Sequence, residues 1–234
     1  MKIFARFIGV ILVFASSASL AQESLTMDMV ENDAIQYSNQ KQIGRLAPFV
    51  SLGSYEFKSN GSNKGIEPNQ RFGLGVMTVV SSAKRTVLEV GLAYQPMGAR
   101  YEGRTSSGFK MTQLVDLEYL AVPLVAKTYF RPNNTGFFLK LGVVPAYLMK
   151  AEAEVTLKQS GFIGPNATAK GSVEDKFTDI DVQGMVGVGG LFETYFTNRI
   201  FLDLSFGRSL VPISRKTTVD VYNEGFLLSA GLTL

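Results

Sequence analysis

From residue 46 onward, apolar and polar positions alternate with a period of two along eight runs of the chain. Successive side chains of a strand point to opposite faces, so each run predicts a β-strand with two unlike sides. The runs cover 46–57, 71–80, 86–99, two halves of 114–152 joined at 131–136, 180–195, 200–210 and 226–234. In the second, Phe72, Leu74, Val76, Thr78 and Val80 oppose Arg71, Gly73, Gly75, Met77 and Val79. In the third, Leu88, Val90, Leu92 and Tyr94 oppose Glu89, Gly91, Ala93 and Gln95. The fourth sets Leu117, Tyr119, Ala121, Pro123 and Val125 against Asp116, Glu118, Leu120, Val122 and Leu124. In the fifth, Phe137, Leu139, Leu141, Val143, Pro145 and Tyr147 alternate with Phe138, Lys140, Gly142, Val144, Ala146 and Leu148.

One face of most runs is uniformly greasy and the other mixes charged, small and apolar residues. A soluble sandwich core has no use for that second face, whereas a membrane barrel puts lipid outside and a polar lumen inside. The connections alternate as well: 81–85, 131–136 and 197–199 are short, while 58–70, 100–113, 151–179 and 211–225 are long and polar. Tight turns at one end and long loops at the other are the habit of outer-membrane barrels. The prediction is therefore all-β: an eight-stranded antiparallel up-and-down transmembrane β-barrel spanning 45–234. A soluble lipocalin-like barrel needs the reverse pattern, an apolar lumen under a polar exterior.

With the mixed faces turned inward, Arg71, Glu89, Asp116, Glu118, Lys140, Glu193 and Asp203 form a predicted lumen charge network. Side chains can just fill a barrel of eight strands. The network therefore serves either as an ion-paired filling or as the lining of a narrow ion or solute path, and the filling is the simpler expectation. Buried charges persist when paired, with Lys140 and Arg71 the evident cations. Pro96, Pro123 and Pro145 fall inside predicted strands, where Pro cannot donate to the ladder; all three are expected on the outward face, at bulges or strand ends.

Ahead of the barrel, 1–21 has the build of a cleaved secretory signal. Lys2 and Arg6 precede an apolar stretch, and Ser19-Leu20-Ala21 supplies a small-x-small cleavage site. Residues 22–44 are polar without alternation, a predicted flexible periplasmic leader. The formal charge of +3 falls to about +1 once Lys2 and Arg6 are set aside, and no dense basic patch suggests nucleic acid.

Two segments carry a family resemblance. Leu117-Glu118-Tyr119-Leu120-Ala121-Val122-Pro123-Leu124-Val125-Ala126-Lys127-Thr128-Tyr129-Phe130 resembles a strand motif of the PorT-like outer-membrane β-barrel family, among small barrels of the OmpA-OmpX type. Val87-Leu88-Glu89-Val90-Gly91-Leu92-Ala93-Tyr94-Gln95-Pro96-Met97-Gly98-Ala99 is similar to that family's third strand. The stretch 228–234 resembles the C-terminal insertion signal of bacterial barrels, departing from it by ending in Leu234 instead of Phe. The resemblance implies a small porin-like barrel in the bacterial outer membrane. It carries no catalytic or ligand residues, and some relatives are linked to protein secretion.

Chemistry is thin. The chain has no His and no Cys, which removes the commonest general base, the commonest transition-metal ligand, thiol nucleophiles and disulfides. Asp116 and Glu118 sit side by side on one face, a poor geometry for glycoside hydrolysis. Gly187-Val188-Gly189-Gly190 lies inside a strand pattern with no following helix, so wall packing explains it better than a phosphate loop. No cofactor and no metal site are expected. The expected partners are outer-membrane lipid, lipopolysaccharide phosphates near loop cations such as Lys58, Lys64, Arg100 and Lys216, and a protein met through the long loops. The expectation is a non-enzymatic scaffold, with a narrow porin as the alternative.

Overall fold

The computed structural model describes residues 43–59, 66–105, 108–131, 136–158, 167–193, 199–215 and 219–234. The expected signal peptide, nearly all of the expected leader, and the loop cations Lys64 and Lys216 lie outside them.

Ten strands are present: β1 (Leu46–Ser59), β2 (Ile66–Ser82), β3 (Thr86–Arg104), β4 (Lys110–Ala121), β5 (Leu124–Tyr129), β6 (Gly136–Lys158), β7 (Ala167–Ser172), β8 (Ile180–Glu193), β9 (Arg199–Ser209) and β10 (Val221–Thr233). Neighbours pair antiparallel around a closed ring. β1 bonds β2, β2 bonds β3, β3 bonds β4 and β5, both bond β6, and β8, β9 and β10 lead back to β1. β4 and β5 act as one stave, and β7 pairs antiparallel with the far part of β6, in line with β8, so the ring has eight staves, as the alternation predicted.

The stave divides at Val122-Pro123. Pro123 has no N–H to give, and the neighbouring groups keep the wall bonded: Val122 N–H donates to Pro145 O at 2.8 Å, and Gly91 N–H to Pro123 O at 3.0 Å. Pro96 and Pro145 lie on the outer face. Pro123 does not; it is buried against the lumen, which corrects the expectation.

The distribution of apolar side chains settles what surrounds the wall. Phe72 is 76% exposed and Leu141 68%, while Tyr119 and Leu117 are wholly buried inside the ring. Val50, Leu74, Leu92, Val186, Val188, Leu202, Leu204 and Phe226 continue the exposed belt. A monomer in water does not present so large a continuous apolar surface, whereas a barrel in lipid requires one.

The ladders run well past this belt at one end. β6 has 23 residues and β3 has 19, against the roughly 9–11 that cross a bilayer. Two segments expected as long loops therefore contribute substantial strand. Arg100 to Arg104 pair with Lys110 to Leu114, and Glu152 to Leu157 pair with β7. Alternating, Thr- and Val-containing sequence such as Val155-Thr156-Leu157 ladders well without a lipid-facing side, so hydropathy alone underestimates strand length here.

Candidate functional site

The chemistry of this chain gathers inside the ring. Lys127 and Lys140 are direct cross-strand partners on β5 and β6, both pointing inward. Two adjacent ammonium groups repel unless each is answered by an anion. Lys127 Nζ is 2.8 Å from Glu89 Oε2 and lies over the rings of Phe138 and Phe201, 5.1 and 4.8 Å from their centroids. Lys140 Nζ donates to Asp203 Oδ1 at 2.8 Å, and the Ser205 hydroxyl donates to the same oxygen at 2.9 Å. Two cations and two carboxylates thus cancel at mid-lumen.

The reach of Lys140 depends on glycine. Across the wall Lys140 faces Gly187 on β8, which faces Ser205 on β9, while Gly189 faces Asp203. The lysine crosses β8 to an acid on the next strand but one because β8 presents no side chains in between. A Cβ on Gly189 would run into the Phe138 ring and lie 2.7 Å from both Asp203 Cβ and Leu202 O. The glycine run is therefore a floor for the ion pair.

Nearer the long-loop end lies a second polar group. The wholly buried Asp181 accepts through Oδ2 from Gln183 Nε2 at 2.8 Å, Ser209 Oγ at 3.0 Å and Asn223 Nδ2 at 3.0 Å. Asn223 Nδ2 also reaches Tyr119 Oη at 3.4 Å, and Tyr55 Oη accepts from Gln95 Nε2 at 2.7 Å. Tyr119, Met97, Leu117, Val144 and Ala146 fill the space around these groups.

Ile213, from the segment after β9, is fully buried in the same cluster and closes the long-loop end. Its N–H donates to Val221 O at 2.8 Å and its carbonyl accepts from Thr178 N–H at 2.8 Å. Arg215 ties the segment down through Asp179, 2.7 Å away, and Phe177 bridges to Ser214. Inside the ring, two cavities sharing Glu89 and Lys127 as lining residues measure about 40 and 20 Å³. Each has room for at most a few waters.

Of the seven predicted lumen charges, Glu89, Lys140 and Asp203 face inward. Asp116 and Glu118 do not. They alternate with the buried Leu117, Tyr119 and Ala121, and so share the outer face with Leu120 and Leu124. Asp116 pairs there with Arg71 and accepts from Asn69 Nδ2 at 3.2 Å. Glu193 is at the short-turn rim, its side chain 66% exposed and 3.1 Å from Arg199.

The inversion in β4 has a physical reason. A carboxylate beyond the lipid belt can sit outside in water, whereas a lysine in mid-wall cannot face lipid. Lys127 shares the parity of Leu117 and Tyr119, and it fixes which face of that stave turns inward. Following the alternation two residues past Val125 would have exposed this signal. In the 180–195 run Asp181 alternates in step with Gln183 and Met185, which puts it on the inward face, although nothing in the sequence marked it as a cluster centre.

The outer charges extend onto the projecting hairpins. Lys150 and Lys170 lie 2.8 and 3.0 Å from Glu152 Oε2, and their hydrogen bonds hold its carboxyl below the usual carboxylate range.

The sequence comparison then decides the family. The family profile described as "Outer membrane protein beta-barrel domain" matches residues 40–215. The chain belongs to that family. Its place is accordingly the bacterial outer membrane. Comparison with curated proteins by sequence gives no match. Among solved structures, the chain is similar to Ail, the attachment invasion locus protein of Yersinia pestis, at 13% identity and a TM-score of 0.44, covering 82% of this chain and 99% of that one. It is also similar to Neisserial surface protein A, at 9% identity and a TM-score of 0.41, covering 81% and 97%. Likeness at this level transfers no activity.

Three outcomes follow. Asp203→Ala leaves the Lys140 ammonium buried without its anion and is expected to cost about 3–5 kcal/mol, whereas Lys140→Met with Asp203→Leu recovers most of it. Urea unfolding in detergent micelles measures both. Gly189→Val is expected to cost roughly 1–3 kcal/mol by overpacking, in the same assay, while Val188→Ile on the lipid face leaves the midpoint nearly unchanged. Because the Glu152 carboxyl titrates lower in the folded chain, the stability it contributes is present above its ordinary value of 4.5 and lost as pH falls through the lower folded value. The amide resonances of residues 167–172 should hold their dispersion at neutral pH and lose it below that window, an effect weakened by Lys170→Gln.

Proposed function

We propose that this protein is a closed, non-enzymatic outer-membrane scaffold that acts through the hairpins and loops at its long-loop end, with its lumen serving as structural filling. The observation that carries the reading is the obstruction of the ring. Ile213 is seated in the core at the mouth, and mid-lumen holds a neutral ion-paired layer with cavities too small for a solute. Steady passage of ions would need both layers to rearrange.

In this reading the short turns face the periplasm and the projecting β3–β4 and β6–β7 hairpins face outward. Their exposed cations, such as Arg100 and Lys170, suit lipopolysaccharide phosphates, and the hairpins present strand surface to a protein partner. The strand motifs around Glu89 and Pro123 support a place in the PorT-like group. Residues 1–21 act as a cleaved export signal and 22–44 as a periplasmic leader.

The experiment is single-channel recording of the refolded chain from residue 22 onward in planar bilayers, with Lys140→Ala in parallel. Stable insertion without conductance is the expected result. Reproducible conductance that changes with Lys140→Ala would overturn it and favour the narrow porin.

A further inference from the structure

Among the described residues, two of the buried lumen acids have a buried lysine partner and a third does not. Glu89 has Lys127 and Asp203 has Lys140, but Asp181 has no cationic partner among the described residues. Its three hydrogen bonds all converge on Oδ2. Oδ1 has none, and neither has the amide oxygen of Asn223, although both residues are at least 99% buried. Two unpartnered oxygens, one of them on a carboxylate, are thus held in a single side-chain cluster. Natural interiors seldom leave such groups unsatisfied.

We propose that Asp181 and Asn223 bind an alkali-metal cation beneath the Ile213 seal. One positive charge balances the one carboxylate left over. The free donors are hard oxygens, Asp181 Oδ1 and Asn223 Oδ1, with the Tyr119 and Ser209 hydroxyl oxygens in the same hydrogen-bonded group; sodium and potassium take ligands of this kind. A divalent ion is a poorer match, because no cluster of three or more His, Cys, Asp or Glu able to hold one occurs among the described residues. A bulky organic ammonium is excluded by packing: Tyr119, Met97, Leu117, Gln183 and Ile213 surround the group, all nearly or wholly inaccessible.

The site joins three neighbouring staves. Asp181 lies on β8, Ser209 on β9 and Asn223 on β10, with Ser209 Oγ donating to Asp181 and accepting from Asn223 N–H at 3.1 Å. The ion would enter from the long-loop end when the 211–215 segment lifts. It fixes the ends of these three strands to one another just below the bonds that Ile213 makes to Thr178 and Val221. The inference is independent of whether the lumen conducts.

The test is equilibrium urea unfolding of the refolded barrel at constant ionic strength and pH, exchanging choline chloride for sodium or potassium chloride. A site that binds only the folded state lowers the unfolding constant about tenfold for each tenfold rise in cation above its dissociation constant. Wild type should follow that slope in at least one of the two salts. Asp181→Asn, which keeps the shape and loses the charge, should be flat. Asn223→Ala should keep the slope but reach it at higher cation concentration, and serves if Asp181→Asn does not fold. Equal stability of wild type in sodium, potassium and choline would overturn the proposal, as would an unchanged slope in Asp181→Asn. So would a stability that follows pH and ignores the salts, since a proton would then be the occupant.

Discussion

A wall facing lipid has no water to satisfy its backbone, so every N–H and C=O in it needs a partner within the protein. The closed ring follows from that demand. β1 and β10, the first and last strands, pair over Phe49 to Ser59, and Leu234 N–H reaches Leu46 O at 2.9 Å to complete the seam. The same demand explains how a proline can stand in mid-wall. At Pro123 the stave gives up a donor, and Val122 and Gly91 keep the strip between β3 and β6 bonded.

Closure at eight staves leaves an interior only as wide as the side chains that fill it. Charges placed there must cancel locally. The lysine pair on β5 and β6 is tolerable because Glu89 and Asp203 answer it, and Asp203 can do so only because β8 carries glycine at 187 and 189. Wall composition and lumen electrostatics are in this sense one design. A side chain added to the floor would separate the charges it lies between.

Much of this was legible beforehand, for a definable reason. Strand alternation marks faces directly, so the inward sides of β3, β6, β9 and β10 could be read residue by residue, and those of β2 and β8 apart from Arg71, which pairs with the outer Asp116, and Glu193, exposed at the rim. β4 shows the limit most plainly. Asp116 and Glu118 were assigned inward on polarity, without regard to how far along the stave they lie. Past the lipid belt the outer face is as wet as any surface, and there polarity no longer reports direction. Pairings were out of reach: Lys140 and Asp203 are 63 positions apart, and register across three strands is not a local property. Ile213 was hidden as well, lying in a segment without periodicity.

The length of β6 has its own consequence. Eleven residues follow Tyr147 on that strand, and at about 3.3 Å per residue they extend some 35 Å along the strand direction. β4 on one flank and β7 on the other hold that extension by ladder bonds, so it stands as a stiff blade and not as a tether. Whatever touches its tip does so at a set height and angle above the bilayer. The protein is, mechanically, a mast stepped in a closed hull.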